Sequence, residues 1–402
     1  MSLDAASCIQ DKKALLSQRT LTFIIITIFL MSIGEGAVTP AIPIHGTALG
    51  ASYRQLGYFM TGYSFAYTIM TVTAGMISDQ IGRKRVLLLS IVLSAIASFG
   101  YCCAATPVSL LCFRTLEGAS RGILWPIAEA IVADNTTFDL RSKVMGRFTG
   151  AYGLGSVAGT LSGGFIMEYF HVSAVFPIYP LICLGVVGAI LYGITDKISA
   201  PRPCQGSLKI PEGVNVFNEI KKIWPVCLAG FAYAGFLYSI LGLLPRIADY
   251  AGAFLHQIGY ILALFWAARL VAFIACGEAA AHIGRKTVLL IGFVFVILST
   301  VILFLAADFK TLMIAAAVGG IGSGTLFTIV ITLVADLVNP SFLGFGMGFL
   351  EFCMGIGMII QTTLSGITGE ALGINYTFLF VFITSVITFI IISVYLHLPA
   401  HK

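Results

Sequence analysis

The sequence predicts an all-α membrane protein: twelve transmembrane helices arranged as two pseudo-symmetric six-helix bundles. Three observations carry this. Of the 402 residues, 58% are hydrophobic and 10% charged, with a mean hydropathy of +0.98, whereas a soluble domain carries about 25% charged residues. The apolar residues gather into twelve runs of about 20–25 residues, the length a helix needs to cross a hydrocarbon core of about 30 Å. A constant shift of 202 residues also superposes the first half of the chain on the second.

The runs fall at 21–45, 54–77, 86–105, 108–131, 144–167 and 173–194, then at 223–245, 257–280, 287–307, 311–334, 343–367 and 374–396. They are too long for barrel strands, which need only about ten alternating residues. Met1 to Gln18 contains Asp4, Asp11, Lys12 and Lys13 and has no apolar core. The run from Leu21 is too long for a signal-peptide core and lacks a small-residue cleavage site, so it is expected to remain as the first span. Thr195 to Lys222, with Pro201, Pro203 and Pro211, is the only long polar connection. It divides the chain into an N-terminal half (1–196), a cytoplasmic linker (197–222) and a C-terminal half (223–402).

The shift maps Gly75, Gly82, Arg83 and Lys84 onto Gly277, Gly284, Arg285 and Lys286, and Pro43 onto Pro245. It also takes Gly118, Gly122 and Asp134 to Gly320, Gly324 and Asp336, and Gly146, Gly153, Gly155 and Gly164 to Gly348, Gly355, Gly357 and Gly366. Chance agreement of glycines would not bring bases, an acid and a proline with it, so the six-span unit is duplicated. With the N-terminus inside, only Arg54, Arg246 and Lys310 of the 23 lysines and arginines fall on the outer side, and Arg114, Arg121 and Arg269 lie within spans. Both termini are therefore expected in the cytoplasm, with the chain multi-pass in the plasma membrane.

The turn after the second span reads Gly75-Met-Ile-Ser-Asp79-Gln-Ile-Gly82-Arg83-Lys84-Arg85. It resembles the loop between helices 2 and 3 of the major facilitator superfamily, Gly-x-x-x-Asp-(Arg/Lys)-x-Gly-Arg-(Arg/Lys), with Gln80 where the pattern has a base. In the fourth span, Arg114 followed by Glu117 and Gly118 is similar to the family's helix 4 pattern. Gly34-Glu35-Gly36 through Pro43 looks like helix 1 of its drug–proton antiporter branch. In the fifth span, Gly155 to Gly164 resembles the antiporter signature, with Thr160 where that signature has proline, which leaves exchange and symport both open. The resemblance implies two halves around an axis along the membrane normal, with a substrate site between them near mid-membrane. It also implies proton coupling at Glu35 and Arg114, and a conformational latch of Gly75, Asp79, Gly82, Arg83, Lys84 and Asp134. The second copy of the latch has Ala281 in place of Asp79.

Ionisable residues inside spans are costly unless paired or hydrated, so each is a functional candidate. Arg114, Glu117 and Arg121 lie at i, i+3 and i+7 and share one helix stripe, where Glu117 can pair with either arginine. Glu35 lies about 21 Å along the first span and Arg114 about 9 Å from the opposite end of the fourth, at 1.5 Å per residue. In a core of about 30 Å these depths match, so Glu35 and Arg114 are expected to face one cavity, with Glu35 as the proton carrier and Glu117 in the same set. Arg121, Arg269 and Glu351, with Trp125 and Tyr233, are the candidates for a substrate cavity. Phe231, Phe236 and Tyr238 extend that aromatic set. Glu129 and Glu278, near span ends, fit ion networks better than a substrate site.

These features favour a secondary transporter for proton-coupled efflux of hydrophobic or amphiphilic small molecules. The alternative is transport of a specific metabolite such as an organic acid, sugar or siderophore, to which Arg114, Arg121 and Arg269 would suit an anionic cargo. A membrane-embedded enzyme is disfavoured, because the six histidines lie near span ends or in the tails. The nine cysteines have no metal-ligand spacing and read as small apolar residues. No Gly-x-x-x-x-Gly-Lys-Ser/Thr loop occurs, which argues against ATP-driven pumping. The expected partners are a small-molecule substrate, protons and the lipid bilayer. No cofactor, metal, nucleic acid or second subunit is expected.

Overall fold

The computed structural model describes residues 2–136, 138–194, 216–306, 308–339 and 342–396, and the described residues contain helices and no strand. Most of the expected linker, and the last residues of the chain, lie outside them. The N-terminal half contains α1 (Ser2–Val38), α2 (Ala41–Ala48), α3 (Tyr53–Ile81), α4 (Arg83–Cys103), α5 (Pro107–Asp134), α6 (Phe138–Tyr169) and α7 (Ile178–Gly193). The C-terminal half contains α8 (Val216–Tyr250), α9 (Leu255–Ile283), α10 (Arg285–Leu305), α11 (Phe309–Leu337), α12 (Leu343–Leu372) and α13 (Leu379–Tyr395). The first span is thus two helices. Pro40 and Pro43 lack the amide hydrogens that would carry the ladder past Val38, and the last bond before the break runs from Thr39 N to Glu35 O at 2.9 Å.

Among the described residues, nine segments are long and apolar enough to cross a membrane on hydropathy alone. The remaining three of the twelve spans are α3, α5 and α6. They have the length, but their inward faces carry tyrosines, threonines, Arg114, Glu117, Arg121 and closely spaced glycines. Their low hydropathy reflects what they enclose.

Helix ends recur at the shift of 202. Gly50 and Gly252 have φ of 85° and 80°, and Gly82 and Gly284 have 94° and 85°, a left-handed conformation that only glycine adopts without strain. The Ser52 and Phe254 amides donate to the side chains of Gln55 and Gln257, at 2.9 and 3.0 Å. Thr106–Ser109 and Asp308–Thr311 form reciprocal caps at the starts of α5 and α11. Lys84 Nζ donates to the carbonyls of Leu191 and Ile194 at 3.1 and 2.6 Å, and Lys286 Nζ to that of Ser393 at 2.8 Å. Each lysine thereby caps the C-terminus of the last helix in its own half.

The halves meet where α3 packs along α12 and α6 along α9. A Cβ on Gly57 would lie 2.9 Å from Gly366 Cα, and one on Gly164 would lie 2.8 Å from Gly259 Cα. These two contacts are equivalent under the shift, and both need backbones to touch. Beside each, a carboxylate at the end of one helix meets the start of a helix from the other half. Glu370 accepts from Arg54 N at 2.7 Å and pairs with its guanidinium at 3.5 Å. Glu168 accepts from Leu255 N at 2.8 Å and faces His256 Nδ1 at 3.6 Å. Negative charge at a helix N-terminus is favourable there. At the opposite face, which holds the Gly82 and Gly284 turns, a Cβ on Gly75, Gly277, Gly146 or Gly348 would meet nothing within 4 Å. The two halves are in backbone contact toward the Gly50–Gly252 face. Gly366→Val should therefore lengthen the distance between spin labels at the exposed positions Tyr58 and Leu372, read by pulsed electron resonance. An unchanged distance would mean that closure does not depend on the glycine contact.

Candidate functional site

The walls of the central site are set by backbone contacts within each half. A Cβ on Gly118 would lie 2.1 Å from Tyr63 O, and one on Gly122 would lie 2.4 Å from Tyr67 O. In the second half Gly320 meets Phe265 O in the same way, and Gly324 meets Arg269 O at 2.5 Å. Only glycine permits this approach of α5 to α3 and of α11 to α9. It fixes the backbone at Tyr67 and, in the equivalent place, at Arg269.

Between the halves lies a cavity whose empty space, counted with the open solvent at its mouth, is about 660 Å³. Its lining is pseudo-symmetric. Glu35 and Leu237, Tyr67 and Arg269, Trp125 and Phe327, Thr149 and Glu351, and Tyr152 and Met354 all line it, and each pair is related by the shift of 202. Position is shared within every pair, and chemistry only by the aromatic Trp125 and Phe327. The aromatic rings connect the halves: Tyr152 packs edge-on against Trp125 at 5.0 Å and against Trp266 at 5.1 Å.

The side chain that reaches Glu35 is Arg121, with Nη2 at 2.6 Å from Oε2. Tyr63 donates to Glu35 Oε1 at 3.3 Å. This corrects the expectation that the neighbouring cation would be Arg114, which is two turns earlier on the same helix. Arg114 turns instead to Glu117, at 2.5 Å, and lies over the Tyr63 ring at 4.4 Å. Tyr101 of α4 also donates to Glu117. The depth match chose an arginine two turns from the one that meets Glu35: the i+3 carboxylate took Arg114, leaving Arg121 to span from α5 to α1. Arg114 and Glu35 do share the wall of a smaller adjoining pocket. The Arg114–Glu117 pair is enclosed, at 3% and 1% exposure, whereas 17% of the Glu35 side chain is exposed.

The structure brings Arg121, Trp125, Tyr233, Arg269 and Glu351 to one cavity. Of the extended aromatic set Tyr238 is there too, but Phe236 is buried in the core of the second half, where it touches Gly319. The carbonyl of Phe231 accepts from Gln361 Nε2 at 3.2 Å. Sequence reasoning missed Tyr63, Tyr67, Tyr152, Phe273 and Phe327. The equivalence of Tyr67 to Arg269, and of Trp125 to Phe327, was available in the shift and would have found two of them.

At the turn face Arg83 pairs with Asp134 at 2.8 Å, tying the start of α4 to the end of α5, and with Asp79 at 3.9 Å. Arg285 and Asp336 repeat the first of these pairs. Gly82 supplies the left-handed turn, and Gly75 faces open space. Lys84 serves α7.

Comparison with known proteins fits this architecture. The family model described as Major Facilitator Superfamily matches residues 24–245 and again 226–402. The chain belongs to the major facilitator superfamily. It is a multi-pass membrane protein and a secondary transporter of small molecules, as members of that superfamily are. It is 26% identical over 405 residues to "Multidrug resistance protein 2" of Bacillus subtilis, covering 92% of this chain and 93% of the relative. It is 25% identical over 219 residues to "Quinolone resistance protein NorA" of Staphylococcus aureus, covering 53% and 56% of the two chains. Among solved structures, the nucleoside transporter NupG superposes with a TM-score of 0.78 at 15% identity, over 93% of this chain and 99% of that one. A bacterial homologue of the human lysosomal transporter Spinster gives 0.73 at 15% identity, over 96% and 99%.

Within this superfamily fold the Asp134 and Asp79 carboxylates differ in surroundings, at 16% and 42% exposure. Exposed pairs contribute little and enclosed ones more. Asp134→Asn should lower the melting temperature of the purified transporter by roughly 2–4 °C, while Asp79→Asn leaves it within error. Equal losses in the two variants would contradict this ranking.

Proposed function

We propose that this chain is a proton-coupled exporter of hydrophobic or amphiphilic small molecules, working by alternating access as a monomer in the plasma membrane. The basic turns Arg83–Arg85 and Arg285–Lys286 support a cytoplasmic turn face. The aromatic and thioether lining of the cavity suits planar apolar solutes. Efflux is favoured further by similarity to the multidrug and quinolone resistance proteins.

The observation that carries the coupling is the Glu35–Arg121 pair in the cavity wall. A carboxylate there can exchange its arginine for a proton when the wall is hydrated, and it can return to the arginine when the site is dry. Glu35 sits on α1 and Arg121 on α5, so protonation loosens one helix from another inside the N-terminal half. In this reading Glu35 carries the proton, Arg121 is its counter-ion, and the enclosed Arg114–Glu117–Tyr101 group holds α5 to α4 behind them.

In liposomes with an imposed pH gradient, wild-type protein should dissipate that gradient when a cargo from a panel of cationic and neutral aromatic dyes is added. Glu35→Gln should abolish this cargo-dependent proton flux while keeping downhill exchange of neutral dye. Glu35→Asp, one methylene shorter, should keep part of the flux. Full proton flux through Glu35→Gln would remove Glu35 from the coupling role.

A further inference from the structure

Arg269 is a buried cation whose charge nothing nearby balances. It lies mid-way along α9 at 2% exposure, and among the described residues no carboxylate is within ion-pair distance of it. Its one hydrogen bond is neutral, from Nη2 to Tyr233 Oη at 2.6 Å. Nε and Nη1 are buried with no hydrogen-bond acceptor. Yet the residue lines the central cavity, as does Glu351, the other ionisable side chain that the second half contributes. Glu351 forms no ion pair among the described residues.

The surroundings of Arg269 are aromatic. The guanidinium carbon lies 5.0 Å from the Trp266 ring, 5.1 Å from Phe273, 5.5 Å from Phe327 and 5.8 Å from Tyr233. Ring faces attract a cation, which accounts for the charge being tolerated. They cannot accept its remaining N–H donors as an oxygen would. A guanidinium presents a planar fork of donors that matches a carboxylate in two parallel bonds. Tyr67 takes the equivalent place in the first half, so the cation is an addition to the duplicated frame.

We infer that Arg269 and the four rings around it form an acid-binding subsite, which takes the carboxylate of a planar aromatic cargo with the ring system lying against Phe273 and Phe327. This inference rests on the central cavity being the transport site and names the cargo class: aromatic amphiphiles bearing a carboxylate.

The test is equilibrium dialysis of the purified full-length protein in detergent with three probes: 2-naphthoate, methyl 2-naphthoate and acetate. A hydrogen-bonded charge discriminates by roughly 10- to 100-fold. Wild-type protein should therefore bind 2-naphthoate about tenfold or more tighter than the ester, and should not bind acetate in the same concentration range. Arg269→Gln should bring acid and ester to equal affinity through loss of acid binding. Arg269→Lys, which keeps the charge without the planar fork, should retain a smaller preference for the acid. Unchanged elution on gel filtration checks that each variant is folded. Equal binding of acid and ester to wild-type protein, an acid preference that survives Arg269→Gln, or no binding of either naphthyl probe would each overturn the inference. The proton-flux test at Glu35 does not involve Arg269. Full proton flux through Glu35→Gln with the acid preference intact would remove the coupling reading alone, and abolished flux in Glu35→Gln with no acid preference in the wild-type protein would remove the subsite alone.

Discussion

A charge at mid-membrane must be paired, hydrated or cushioned by rings, and that requirement decides what the centre of this molecule looks like. Pairing and cushioning both occur here within one cavity's breadth. Arg114 is paired with Glu117 and sealed, with Tyr101 supplying a further donor. Arg121 is paired with Glu35 at the cavity surface. Arg269 is cushioned by rings. Breaking a sealed pair by removing one member costs about 3–5 kcal/mol, because the other charge is left behind. A pair at a wall that can be wetted has a cheaper escape, since water replaces the lost member. On the proposed reading, of the two carboxylates that pair with the α5 arginines, Glu35 is the one that changes state during a cycle and Glu117 the one that holds helices together.

The second constraint is backbone proximity. Gly118 and Gly122 let α5 touch α3, Gly155, Gly159 and Gly163 let α6 touch α1, and Gly57 with Gly366 lets the halves touch. Without a hydrophobic force between helices in lipid, such close contact supplies much of the adhesion. It also gives the frame rigidity within each half. Contact between the halves is concentrated at the Gly50–Gly252 face, where the carboxylates of Glu168 and Glu370 cap helices across the boundary. These caps are small and polar, and water can substitute for each of their bonds. That suits an interface that must part.

The frame was legible because duplication writes many of its turns, caps and close contacts twice. Gly82 and Gly284, and the lysines that close α7 and α13, were found by that shift; Gly50 with Gly252 and Gln55 with Gln257 recur at it too, while Gly373 has His171 as its counterpart. Span ends were less legible. Helices such as α5 and α8 run past the apolar core, and the first span breaks at a proline that hydropathy does not register. At the site, the residue types were visible but their pairing was not. Whether Arg114 or Arg121 meets Glu35 depends on a competition with Glu117, and a linear depth estimate has no account of side-chain direction. Tyrosines such as Tyr67 and Tyr152 were invisible for another reason: an aromatic residue in a span packs or faces lipid far more often than it lines a cavity.

The two halves give the cavity equivalent positions and unequal chemistry, and this division has a mechanical sense. Alternating access requires that each half move as a body against the other, which a symmetric frame allows, since the contacts closing one face are of the same kind in both halves. A symmetric set of charges would be a hindrance. If Leu237 were also an acid and Ser323 also an arginine, each half would carry its own ion pair, and binding a proton in one would leave the other closed. Placing the acid–base pair at Glu35 and Arg121, and the unpaired cation at Arg269, separates the two tasks by half. On the proposed reading, the first half responds to protons and the second holds the acidic end of the cargo. Tyr152 lies between them, against Trp125 on one side and Trp266 on the other. A change in the Glu35 wall is then felt at the cargo through packed rings, without any contact between the two charges.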